Sequence, residues 1–245
     1  MEKEKLRNLS LLTLGLVLMG LFTSISGQQL VFIILVFAIS FYFVIKEKEN
    51  ITNKDIAIAF ILGGLAELHG MVIADYIQGP LILVSTAASF MAASPIFRRY
   101  IQEDKVSGAK PSVSIGLGVI LGIVLGIFNV KMAGADLDFK FSGLAISSAL
   151  QAGIWEEVSM RFFFYALGVY ILKSDAKTTL EKVLFYILMI CPHVLGHGTM
   201  DFESFAFMAL FFGLPMTIVQ RKVDLRSAII LHTVIDLIRF FSLGV

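Results

Sequence analysis

Along this chain, apolar blocks alternate with short clusters of charge, and most blocks are about the ~20 residues that a helix needs to cross a bilayer. Nine helices are expected, over roughly 9–27, 29–46, 55–75, 80–97, 112–131, 141–172, 182–198, 203–220 and 226–243. The expected fold class is all-α. It is a polytopic membrane helix bundle of about eight to nine transmembrane helices, forming a single integral membrane domain over 1–245. Only a Gly27-Gln28-Gln29 turn joins the first two blocks, so a re-entrant or tilted hairpin is an alternative there.

Composition agrees with the pattern. The chain is 57% hydrophobic and 16% charged, with a mean hydropathy of +0.85. A soluble domain carries about a quarter charged residues. The formal net charge of +1 and the lack of a basic block give no sign of a nucleic-acid partner. A single cysteine, Cys191, excludes an internal disulfide and any CxxC metal site. The first apolar run follows a short charged start, but further spans follow it and no cleavage site stands out, so no cleavable signal is expected.

The charges also predict orientation. With nine helices, one set of alternate loops holds 16 Lys and Arg residues and the other set, with the C-terminal end, holds 3; the twentieth is Arg161, inside the sixth helix. Cytoplasmic loops are the cationic ones. The N-terminus is therefore expected in the cytoplasm and the C-terminus outside.

Within the apolar blocks, polar residues concentrate in the last third of the chain. The sixth block carries Glu156-Glu157-Val158-Ser159-Met160-Arg161. A carboxylate near a bilayer centre costs several kcal/mol, about 2.5–3.5 on the most lenient scale, and is rarely placed there without a task. Glu157 and Arg161 stand at i and i+4 on one helix face and are able to pair, whereas Glu156 points about a quarter turn away. The seventh block holds His193 and His197, and the ninth His232 and Asp236, each pair again at i, i+4. Earlier in the chain stand Glu67, His69 and Asp75.

Each group also has a purely structural reading. Glu157 and Arg161 suit an ion pair, and a membrane histidine often hydrogen-bonds a neighbouring helix. Asp236 is spaced to pair with Arg239 (i, i+3), and Glu67, His69 and Asp75 would be satisfied by water at the mouth of the third helix. Cys191 reads as a small buried apolar residue. What these readings leave unexplained is the loading of three late spans together, while helices 1, 2 and 4 carry hardly any such groups. The residue types suit hydrolysis: a carboxylate held with a neutral histidine takes a proton from water, and further donors stabilise the oxyanion that forms. His232 is a donor; Asp236 is one only when protonated.

These residues resemble the CAAX protease and bacteriocin-processing family (CPBP, or Abi) of intramembrane glutamate proteases. Its Glu-Glu-x-x-x-Arg motif appears as Glu156 to Arg161. Its Phe-x-x-x-His motif appears as Met189-Ile190-Cys191-Pro192-His193, with Met replacing Phe, and its His-x-x-x-Asn motif as His232 to Asp236. Phe205 to Gly213, Arg221 and Leu225-Arg226-Ser227 are similar to the family's apolar helix and basic turn. The resemblance covers about 141–243, the motif-bearing catalytic core; helices over 1–140 carry no recognised motif. It implies that Glu156 and His193 activate water, that His232 and Asp236 form the oxyanion site, and that Glu157 and Arg161 support them. Asp236 departs from the family's amide, so it must be protonated to donate, or else it orients His232.

No cofactor is expected, with zinc on Glu156, His193, His197 and His232 as the minority alternative. The implied partners are the lipid bilayer and a membrane-associated or prenylated peptide or protein. Two other classes compete: a non-catalytic bacteriocin-immunity or scaffolding protein, and a proton-coupled transporter, against which stands the lack of an inverted repeat. Counted along straight helices, Glu156, His193 and His232 lie at depths that do not match. The sixth helix is therefore expected to tilt or break, near Gly168.

Overall fold

A computed structural model of the chain describes residues 2–101, 105–106, 108–198 and 201–244. Among them are nine helical rods and no strand. In order these are α1 (Glu2–Ser26), α2 (Gln29–Glu47), α3 (Asn53–Val72), α4 (Gln78–Tyr100) and α5 (Pro111–Met132). Then come α6 (Gly143–Trp155), running through a π-wound segment at Glu156–Phe162 into α7 (Phe163–Leu172), and α8 (Thr179–Gly196). Next α9 (Phe202–Met208) passes through a second π segment at Ala209–Gly213 into α10 (Leu214–Lys222), and α11 (Leu225–Leu243) closes the chain. Seven of the nine rods are long and apolar enough to cross a membrane; the α6–α7 rod and α11, which carry the motif charges, are the other two. The protein is a multi-pass integral membrane protein built as an all-α bundle.

Polar caps just outside the apolar pattern set several helix starts. Thr52 and Asp55 form a capping box that starts α3 at Asn53, and Thr178 with Glu181 does the same for α8 at Thr179. Asp224 caps α11, and Ser142 caps α6 through Ala145 N. The first two blocks form separate full-length helices, not a re-entrant hairpin.

The α6–α7 rod is the axis of the bundle, and every residue from Gly153 to Val169 is buried. Around it Phe90, Phe97, Phe162, Tyr165 and Phe185 pack ring against ring. The outward faces of α1, α3 and α5 carry exposed Leu14, Leu18, Phe60, Ile61, Ile120 and Val124, as a lipid-facing surface requires. Close helix contacts fall where side chains are small. Gly118, Gly122 and Gly126 of α5 form a seam on which α11 lies, so near that a Cβ on Gly122 would stand 2.6 Å from Val234 Cβ. Gly153 does the same on α6: its missing Cβ leaves room for Thr233, next to His232.

The loops gather at two ends. At one, Lys5 Nζ donates to Leu172 O, Arg98 to Asn50 O, and Leu225 N to Lys105 O. At the other, Ser24 Oγ donates to Gly198 O, His69 meets Ser147 and Ser148, and Lys140 N donates to Phe241 O. The first end carries the 16 cations that the alternating loops group together, and the second the 3.

The expected break near Gly168 is absent. Helix α7 runs straight through it, with Gly168 against the Phe185 ring. The irregular winding falls on the glutamate motif itself, and depth is reconciled by stagger. His193 lies one turn from the end of α8 and His232 two turns from the start of α11, and both reach the glutamate pair of the α6–α7 rod.

Candidate active site

The π segment is where the motif gets its shape. A π turn bonds i to i+5, widens the rod and displaces side chains relative to a regular helix, and such turns cluster at functional sites. Here it is held from outside: the buried Gln220 of α10 donates its amide to Glu157 O at 3.1 Å. Trp155 Nε1 anchors the preceding turn on Ser85 Oγ at 3.0 Å. Neither residue was singled out by motif reading. A glutamine late in an apolar block is the one sequence signal by which Gln220 could be found.

The two glutamates face different partners. Glu157 lies against Arg161, with both side chains fully buried, and its Oε1 also accepts from His232 Nδ1 at 2.8 Å. Glu156 Oε2 lies against His193 Nε2, with His197 Nε2 at 3.6 Å and His232 Nε2 at 3.7 Å. Arg161 joins the two halves, because its Nη2 donates to His193 Nδ1 at 2.8 Å. A guanidinium never accepts, so His193 Nδ1 must offer its lone pair and the ring proton sits on Nε2, facing Glu156.

Asp236 belongs to the same cluster. Its Oδ2 stands 3.4 Å from His232 Nε2, one helical turn away, rather than with Arg239. The contact is with the ring nitrogen that Glu157 does not engage. Thus Glu156, Glu157, Arg161, His193, His232 and Asp236 are brought together from three rods, with His197 at the edge. Glu67, His69 and Asp75 are not among them. His69 hydrogen-bonds Ser147 and Ser148 at 3.3 and 3.0 Å, and Asp75 caps the start of α4. The backbone N–H groups of Gln78 and Ile77 hold the Asp75 carboxyl below the usual carboxylate range.

A cavity of about 190 Å³ reaches Glu156 and His193. Phe32, Ile33, Ile82 and Trp155 form its apolar walls, and Gln29, Gln78 and Gln151 line it with amides. An apolar pocket with a few convergent polar groups and a catalytic-type pair at its floor is the usual form of a small-substrate or peptide site.

The cluster also fits a divalent metal in residue type. Glu156, His193 and His197 present ligand atoms within 4.8 Å of one another, and His232 is adjacent. The Arg161 bond sets a condition on it. A metal on His193 Nε2 would have to displace the proton that this bond places there, or break the bond. Proton transfer needs no such rearrangement.

No protein-family model, curated protein or solved structure matches the chain. The functional reading therefore stands on the residues themselves.

Proposed function

We propose that the protein is an intramembrane endopeptidase of the CAAX-protease type, hydrolysing a peptide bond with a water activated by Glu156 and His193. The observation that carries this reading is the Glu156–His193 pair at the floor of the cavity, with its tautomer set from behind by Arg161. Glu156 takes a proton from water as the oxygen attacks the peptide carbonyl carbon. His193 Nε2–H keeps the carboxylate aimed. The carbonyl π electrons pass to oxygen, and the oxyanion is met by His232 Nε2–H, with Nδ1–H still bonded to Glu157 and Asp236 beside the same Nε2 at 3.4 Å. When the tetrahedral intermediate collapses, the C–N bond breaks and the proton held by Glu156 goes to the leaving amine. Water is consumed, and an acid and an amine are formed.

The cationic end of the bundle lies in the cytoplasm on this reading, which puts the N-terminus there and the C-terminus outside. The substrate is a membrane-associated peptide or protein, a prenylated one being the family's eukaryotic case. Peptide cleavage by the purified protein, with and without chelator, tests the proposal. Glu156→Gln keeps the shape and removes the base. Its rate should fall by about 10²–10⁴ with the melting temperature unchanged, and chelator should leave the wild type active. Full activity in Glu156→Gln ends the proposal; chelator-abolished activity transfers it to a metal on Glu156, His193 and His197.

A further inference from the structure

The cavity has a direction. Its floor is Glu156, Met160 and His193, all buried, and its rim is the exposed Gln29 and His197 with the partly exposed Gln78. Each rim residue stands at a helix end: Gln29 and Gln78 begin α2 and α4, and His197 follows α8. All three ends belong to the end of the bundle poor in Lys and Arg. Ser24 Oγ to Gly198 O at 2.6 Å and Gln29 Nε2 to Gly196 O at 3.5 Å tie that rim together.

Toward the opposite, cationic end the floor is closed. Arg161, Phe162 and Tyr165 lie beneath Glu156, fully buried, and the Phe97 and Phe185 rings pack around them. Arg221 stacks beyond Tyr165 and bonds Asp175 at 3.0 Å. Among the described residues, no cavity-lining side chain comes from a helix end on that side.

We infer that the site is loaded from the non-cytoplasmic side of the membrane, and that its occupant is an extended, uncharged stretch of polypeptide presented on that side. The side follows from geometry and from the charge of the two ends. The nature of the occupant rests on the proteolytic reading. Three glutamines and Thr23 line the passage with His197 at its rim, and no Asp, Glu, Lys or Arg does until Glu156. Primary amides both donate and accept, which matches the alternating N–H and C=O of a peptide backbone, whereas the apolar walls reject charge. Substrates of this class are exported or membrane-anchored polypeptides. A chain modified and held in the cytoplasm would meet the closed floor.

Sidedness is tested by labelling. In a Cys191→Ala background, Gln78→Cys and Gln29→Cys probe the rim separately, and Lys177→Cys marks the cationic end. Intact cells are treated with a membrane-impermeant maleimide, then permeabilised and treated again. Both rim cysteines should reach their full labelling before permeabilisation, and Lys177→Cys only after it. Rim cysteines that label only after permeabilisation overturn the inference. A membrane-impermeant peptide then tests the occupant: cleavage by right-side-out vesicles supports the proposal, and cleavage by inside-out vesicles alone overturns it. If neither orientation cleaves while the rim labels from outside, the proteolytic reading fails and the sidedness stands.

Discussion

Two guanidinium–carboxylate pairs in this molecule have the same chemistry and different surroundings. Arg98 and Asp55 meet at 2.7 Å near the cationic end, with side chains 45% and 5% exposed. Asp55 is satisfied many times over, because Thr52 N, Thr52 Oγ1 and Ser94 Oγ donate to it as well as Arg98. Arg161 and Glu157 meet inside the membrane, both fully buried, and their hydrogen bonds lead onward to His193 and His232. Glu157 Oε2 and Arg161 Nε have no protein partner among the described residues. The first pair ends in its own local donors and ties two helices together. The second spends its hydrogen bonds on fixing two histidines, which is how a positioning pair differs from a structural one.

The comparison breaks most visibly at Arg161. Arg161→Met leaves Glu157 without its cation in a fully buried site, which typically costs about 3–5 kcal/mol, and frees the His193 tautomer. The expected outcome is a large drop in melting temperature by heating and size-exclusion in detergent, with no cleavage by what remains folded. A stable, active Arg161→Met protein would show that the pair positions nothing.

At Arg98 the effect should be smaller and of one kind only. Asp55 keeps its Thr52 and Ser94 donors, and the guanidinium is half exposed, so Arg98→Met should cost about 1–3 kcal/mol. Cleavage per folded molecule should match wild type, because no Arg98 contact reaches the cavity. Lost turnover at unchanged stability would contradict the contrast drawn between the two pairs.

The mildest effect belongs to Asp224, the cap of α11. Burial raises its carboxyl pKa, but donors from Ser227 Oγ, Ser227 N, Ser114 Oγ and Ala109 N outweigh that and hold it below the ordinary carboxylate value. A depressed folded-state pKa adds stability above the unfolded value of about 3.9, and this is lost as pH falls through the folded value. Thermal stability should therefore decline at the acid end below about pH 4, and Asp224→Asn should flatten that decline while lowering stability at neutral pH. An identical acid limb in the variant would remove Asp224 from the account.

Residue order alone determined the helical class, the nine rods and the grouping of cations at alternate loops, because a bilayer demands long apolar runs and charge marks where they stop. It also determined that Glu157 and Arg161 share a face, since i, i+4 spacing is a local property. The starts at Asn53 and Thr179 precede the apolar runs because polar caps set them. What the sequence could not supply is stagger. Counting residues along straight helices places Glu156, His193 and His232 at different depths and predicts a tilt or break near Gly168. The bundle instead winds the motif as a π segment held by Gln220 and lets Gly153 admit Thr233 beside His232. Asp236 is placed by the same packing, 3.4 Å from His232 Nε2 rather than beside Arg239. Relative helix depth and side-chain facing depend on contacts between residues far apart in the chain. No local spacing encodes them, so only the packed bundle decided which end of the site is open.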